Sequence, residues 1–194
     1  MTRSRLPAGA SPPGRTQRFP AMLTGNRPMR RYNTEPELFA AALRALARRS
    51  YSVHEMRQYL EARTEHKAAV RVVLARLRQQ ALLDDARYAR QFARYRAEAR
   101  RQGRYRIAQE LRARGVAERH IEAALKEIFT EAEEATLLRA RIERRLRGIR
   151  SPLDRKRLAA LYRSLLRAGF PAELIRNELR RVAQERTAVP GDEN

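Results

Sequence analysis

The sequence predicts an all-α fold, an elongated, curved array of three tandem three-helix repeats. Two observations and one physical argument point there. From Thr34 onward proline becomes rare and apolar residues recur at the 3.6-residue period of amphipathic helices. The chain also aligns with itself. At a shift of 54, Ile107, Leu111, Gly115, Ile121, Leu125 and Ile128 meet Leu161, Leu165, Gly169, Ile175, Leu179 and Val182. At a shift of 51, Met56, Leu60, Val70, Leu74 and Leu77 join the same series, and only Thr64, opposite Gly115, breaks it. A unit of about 50 residues is close to the smallest that sustains its own core. Units of that size gain by stacking, and a stack presents a long surface that suits extended partners better than a deep catalytic pocket does.

Residues 1–33 contain Pro7, Pro12, Pro13, Pro20 and Pro28, three glycines and several arginines, without period. They read as a disordered basic arm, either a dispensable tail or a source of added nonspecific attraction to a polyanion. The first repeat covers 34–83. Thr34, Pro36 and Glu37 start its first helix, with a capping hydroxyl followed by proline and acid in the first turn. Leu38, Ala42, Leu43 and Leu46 form the expected buried stripe. Ser52 caps the second helix, and Glu55 three residues later completes a capping box. Met56 and Leu60 point inward. The third helix, from about His66 to Gln80, buries Val70, Val73, Leu74 and Leu77.

The second repeat, 84–129, holds helices over about 84–101, 104–114 and 117–129, with Gly115 as a left-handed cap. In the first of these, Tyr88, Phe92, Tyr95 and Ala99 share one arc, while Arg87, Arg90, Arg94 and Arg101 share another, roughly opposite. The aromatics should face a core and the guanidinium groups should face out. The third repeat, 130–186, holds helices near 131–147, 152–168 and 171–185. Gly169 ends the middle one and Pro171 opens the last. Residues 187–194 should fray.

Composition narrows the function. The formal net charge is +21 over 194 residues, and of 43 basic residues only Lys67, Lys126 and Lys156 are lysine. Arginine codons abound in GC-rich genomes, but arginine also carries a planar fork that grips phosphates and carboxylates in pairs. The charge implies a polyanionic partner: nucleic acid, an acidic protein surface or an anionic membrane. No cysteine is present, which removes disulfides and thiolate chemistry and fits a reducing compartment. No apolar run approaches the roughly 18 residues of a membrane span.

Neither a phosphate-binding G-x-x-x-x-G-K-[ST] loop nor a G-x-G-x-x-G turn occurs. His54-Glu55 begins like a zinc-protease motif, but Gln58 stands where the second ligand belongs. Asp84 and Asp85 read as a helix cap rather than as metal ligands, and Glu131, Glu133 and Glu134 open a later helix in the same manner. No metal, cofactor or enzyme activity is expected. Two arginine concentrations remain. One comprises Arg94, Arg96, Arg100, Arg101, Arg104 and Arg106 around Gly103; the other comprises Arg139, Arg141, Arg144, Arg145, Arg147 and Arg150. Tyr105 and Tyr162 lie near them as stacking or packing residues. A solvated charged face would give the same pattern as a binding face.

The run from Leu82 and Leu83 through Asp84, Asp85, Arg87, Tyr88 and Phe92, then Gly103, Arg106-Ile107, Glu110-Leu111 and Gly115-Val116, resembles the central signature of the RecX regulators of bacterial RecA recombinase. Ser50-Tyr51-Ser52 with Glu55-Met56 and Leu60, and Gly169-Phe170 with Ile175, are similar to the flanking units. The resemblance covers about 35–184. Thr64 and the long proline-rich arm depart from it.

The resemblance implies a cytoplasmic, monomeric protein that binds in the helical groove of the RecA filament on single-stranded DNA. It implies that this protein modulates, mostly inhibits, strand exchange, ATPase and coprotease activities in DNA repair and the SOS response. Arg87, Arg90, Arg94, Arg101, Arg104 and Arg106 are the expected partner or DNA contacts. Leu83, Asp84, Asp85, Tyr88, Phe92, Gly103 and Gly115 are the expected structural signature. The alternative is a helical-repeat protein that binds nucleic acid without sequence preference and has no recombinase partner; an adaptor for an acidic protein surface is a third reading.

Overall fold

A computed structural model describes residues 31–149 and 154–187. Among these residues there are nine helices and no strand: α1 Glu35–Leu46, α2 Val53–Glu61, α3 Lys67–Gln79, α4 Asp85–Glu98, α5 Arg104–Arg112, α6 Glu118–Ile128, α7 Glu131–Leu146, α8 Arg155–Arg167 and α9 Ala172–Thr187. The local chemistry explains their starts. The Glu55 N–H donates to Ser52 Oγ at 3.0 Å while the Ser52 N–H donates back to the Glu55 carboxylate at 3.1 Å. Thr130 and Glu133 make the same reciprocal pair at the start of α7. Gly115 and Gly169 follow α5 and α8 with φ of +69° and +90°, the left-handed region that a side chain resists.

Four expectations shift, one of them at Ala99, which is exposed rather than turned to the core. The buried stripe of α1 is Leu38, Ala41, Ala42 and Ala45, whereas Leu43 is 39% exposed. The small alanines let α1 lie close against α3. Helix α4 ends at Glu98, so Arg101 is not on its arginine face but in the following turn, at φ +49°. Pro171 sits one residue before α9 and its carbonyl accepts the Ile175 N–H at 3.0 Å, which makes it the cap. The expected start of α8 at Pro152, like Arg150, lies outside the described residues, as do 1–30 and 188–194.

Three hydrophobic clusters follow one another along the chain. Leu38, Met56, Leu60, Val70, Val73 and Leu77 lie in the first. Tyr88, Phe92, Ile107, Leu111, Ile121 and Phe129 lie in the second. Leu138, Ile142, Leu161, Leu165, Phe170 and Ile175 lie in the third. The self-aligned triplets Met56/Ile107/Leu161, Leu60/Leu111/Leu165 and Val70/Ile121/Ile175 are buried in all three. Tyr32 already packs into the first cluster. Leu137 touches both the second and the third.

The units meet through a joint that recurs. Each time, the start of a middle helix is set into the next unit. The Val53 N–H at the start of α2 donates to Asp85 Oδ1 of α4 at 2.9 Å, and Ser52 Oγ–H donates to the Arg114 carbonyl at 2.6 Å. One unit later, the Arg104 N–H at the start of α5 donates to Glu134 Oε1 of α7 at 3.2 Å, and the Gly103 N–H donates to the Ala168 carbonyl at 2.9 Å. The free amides and positive dipole end of one helix thus receive a carboxylate from the neighbouring unit. The corresponding carbonyl of the first unit, Arg63 O, accepts the Tyr32 N–H at 2.9 Å. The short segment just before the first repeat fills the place there, and the Thr64 turn needs no glycine to admit a neighbour.

Candidate functional site

Signature residues of the middle unit serve the core and its joints. Phe92 is buried, with the guanidinium groups of Arg114 and Arg96 at 4.6 and 4.9 Å from its ring centre. Tyr88 is buried and donates its hydroxyl to the Glu55 carboxylate of the first unit at 3.2 Å. Burial, and then the negative Glu55, push the Tyr88 hydroxyl well above its usual pKa. The acidic pair divides its labour. Asp84 caps its own helix, accepting the Ala86 and Arg87 N–H groups at 2.8 and 3.0 Å, whereas Asp85 reaches back to α2.

The Arg87 amide, opposed only in part by burial, holds the Asp84 carboxyl below its ordinary pKa. A depressed folded-state pKa means stabilisation that is present above the unfolded value and lost as pH falls. Asp84→Ala should therefore cost about 1 kcal/mol near neutrality, and the difference from wild type should shrink in urea titrations repeated toward pH 3.

The structure sorts the arginines by what they already hold. Arg87 donates to the Ala81 carbonyl at 2.6 Å, and Arg90 and Arg94 share Glu127 at 3.9 and 3.4 Å. These exposed pairs are weak and readily exchanged for a partner's acids. Arg106 pairs with Glu110 at 3.0 Å, a carboxylate that also holds Arg96 at 2.9 Å. Arg104 is committed to the joint: its Nε lies 2.6 Å from Glu134 Oε2, and Glu134 is 1% exposed. Glu134 thus serves the neighbouring unit rather than the amides of its own helix. Arg101 reaches the surface beside the Gly103 turn.

The two arginine concentrations, some 40 positions apart in sequence, meet. Arg100 and Arg101 at the end of the α4 turn face Arg141, Arg144 and Arg145 of α7 across a cleft of about 340 Å³. Leu161, Ser164 and Leu165 of α8 complete its lining. Arg141 Nη1 donates to the Arg101 and Arg100 carbonyls at 2.9 and 3.2 Å, which ties the second unit to the third. Burial and then the neighbouring Arg145, Arg144 and Arg101 charges lower the Arg141 pKa. The cleft lining includes no carboxylate residue. Sequence reasoning noted both concentrations but selected only Arg101 of these five; neither periodicity nor spacing says which faces of two separate helices will meet.

Arg101 carries a backbone cost, because a non-glycine residue in the left-handed region loses about 1–2 kcal/mol. Arg101→Gly should therefore leave the unfolding free energy within about 1 kcal/mol of wild type, as chemical denaturation would report, while removing one charge from the cleft. A loss of several kcal/mol would show that the side chain itself supports the fold.

The three-helix units, their recurring joint and the arginine cleft define a helical-repeat protein of strongly basic character. Residues 84–125 match the model of the second three-helix domain of RecX. The chain is 42% identical over 137 residues to the regulatory protein RecX of Halorhodospira halophila, covering 70% of this chain and 82% of that one. It is 38% identical to the regulatory protein RecX of Thermus thermophilus, covering 77% and 94%. The crystal structure of RecX from Lactobacillus salivarius superposes with a TM-score of 0.69 over 78% of this chain and 97% of that one, at 19% identity. This chain belongs to the RecX family of regulatory proteins. No described helix is long and apolar enough to cross a membrane, and no three His, Cys, Asp or Glu among the described residues are grouped to hold a metal.

Proposed function

We propose that this chain is a cytoplasmic, non-catalytic regulator that binds the RecA filament on single-stranded DNA, lies in its helical groove and restrains strand exchange, ATP turnover and coprotease activity. The observation that carries this reading is family membership over nearly the whole helical body, together with units joined neighbour to neighbour. A stack of units can touch several protomers of a filament at once, and weak contacts made together add through high effective concentration. Occupancy of the groove would block entry of a second duplex. The exposed face of Arg87, Arg90 and Arg94 is suited to acidic partner surfaces because its own ion pairs are weak. Arg101 and Arg106 extend the basic surface, and Arg104 anchors the joint behind it.

The test is co-sedimentation with RecA filaments, run in parallel with naked single-stranded DNA, followed by strand-exchange assays. Wild type should pellet with filaments. Arg87→Glu/Arg90→Glu/Arg94→Glu should keep its far-UV circular dichroism and lose at least tenfold in inhibitory potency. Inhibition at wild-type protein concentrations by a folded triple variant would remove that face from the interface. Failure of wild type to pellet with filaments that contain RecA would overturn the proposal as a whole. Charge reversal at Arg104 is a poor probe, because it places two carboxylates together in the buried joint.

A further inference from the structure

The cleft between the second and third units has a chemistry of its own. Its five guanidinium groups come from two units and are held close together over a floor of the buried side chains Leu161 and Leu165. Like charges so placed repel, and an apolar floor weakens the screening that water would supply. Most of the body's other arginines with a tertiary role meet a carboxylate: Arg104 meets Glu134, Arg139 meets Glu178, and Arg96 meets Glu110. In this cleft Arg141 instead donates to the Arg100 and Arg101 carbonyls, and no carboxylate residue is in the lining. Arg101 is held there in a strained backbone conformation. The complementary ligand carries several negative charges at short spacing and offers acceptors without donors.

We propose that this cleft seats the phosphodiester backbone of single-stranded nucleic acid, and that the bound strand clamps the second unit to the third. A phosphate accepts two parallel N–H donors from an arginine fork, and successive phosphates of one strand can answer Arg100 and Arg101 on one wall and Arg141, Arg144 and Arg145 on the other. The Ser164 hydroxyl supplies a further donor within the cleft. An acidic polypeptide carries single carboxylates on separate, flexible side chains and matches such a compact array of forks less well. The inference stands apart from recombinase binding, because its test contains no RecA and its outcome is read separately.

The full chain is titrated into fluorescein-labelled oligo(dT), and anisotropy is followed over a series of salt concentrations. Two variants carry the same change in net charge. Arg144→Glu/Arg145→Glu alters exposed residues of α7 at the cleft, and Arg71→Glu/Arg78→Glu alters exposed residues of α3 in the first unit. The cleft variant should lose at least tenfold in affinity at moderate salt. Its log–log salt slope should be shallower by about 1.4, at roughly 0.7 for each single-strand phosphate that no longer meets an arginine. The α3 variant should lose no more than about threefold, the effect of diffuse charge alone. Should the glutamate pair disturb circular dichroism, Arg144→Gln/Arg145→Gln replaces it with the same order of effects. Clamping predicts that oligo(dT) raises the thermal midpoint of wild type but not of the cleft variant. Equal losses in both variants, no loss in either, or no binding by wild type would overturn the proposal. So would displacement of the oligonucleotide by poly-glutamate as effective as that by poly(dT) at equal charge.

Discussion

Arg104→Ala should lower the unfolding free energy by about 3–5 kcal/mol, more than the loss caused by removing its partner. The carboxylate of Glu134 is almost entirely out of water, and Arg104 Nε is its closest donor at 2.6 Å. Without that guanidinium a buried charge keeps only the longer bond from the Arg104 backbone N–H, and uncompensated buried charges of this kind cost about 3–5 kcal/mol. Glu134→Ala strands Arg104 instead, but its side chain is 36% exposed and can turn to solvent. That loss should be nearer the 1.5–3 kcal/mol of a charged hydrogen bond. The double variant should lose less than the sum of the two. Urea unfolding followed by circular dichroism measures all three. Equal losses for the two single variants, adding in full, would show that the pair does not act as the joint's ion pair.

The second large effect falls at Gly169. Its φ of +90° is one that a side chain resists, and an added Cβ would collide with the Arg106 backbone of the preceding unit. Left-handed strain of about 1–2 kcal/mol and overpacking against unyielding backbone of about 1–3 kcal/mol should make Gly169→Ala cost about 2–5 kcal/mol. Gly148 is the internal control. Its φ, +84°, is close to that of Gly169, but nothing lies within 4 Å of an added Cβ. Gly148→Ala should therefore show the strain alone. The excess at Gly169 measures the closeness of the joint, and matching losses at the two positions would mean that the units are not packed as tightly as this geometry requires.

The two predictions probe one feature from opposite sides, because the recurring joint is where the units acquire their common structure. A middle helix brings its free amides to the next unit and receives a carboxylate, Asp85 in one case and Glu134 in the other. The same contact brings the α4 turn beside α7 and α8, and so creates the arginine cleft. Damage at the joint should consequently weaken the cleft as well as the fold.

Much of the architecture was legible in the chain. Helix class, the capping residues Ser52 and Asp84, the left-handed cap Gly115, the helix end at Gly169 and the aligned core triplets all follow from local rules. A side chain one helical turn away, or an amide three residues on, is fixed by the backbone's own geometry. The early end of α4 was not legible, because Ala99 and Arg100 carry no stop signal. The choice of Ala41 and Ala45 over Leu43 in the buried face of α1 was also hidden. It depends on how closely α3 approaches, which the α1 sequence does not encode.

The sequence by itself determined an all-α array of repeats, its strong positive charge and which residues are apolar at each turn. Only the tertiary structure decided which charges are already neutralised. Asp85 and Glu134 look like caps for their own helices and instead serve a neighbouring unit. Arg104 looks like a contact for a partner and is engaged by Glu134. Arg141, Arg144 and Arg145 look like one solvated helix face and instead meet Arg100 and Arg101 across a cleft. The reason is physical. Apolar periodicity constrains each helix against its immediate neighbours, but an ion pair depends on the position of single atoms contributed by distant segments, and only packing sets that.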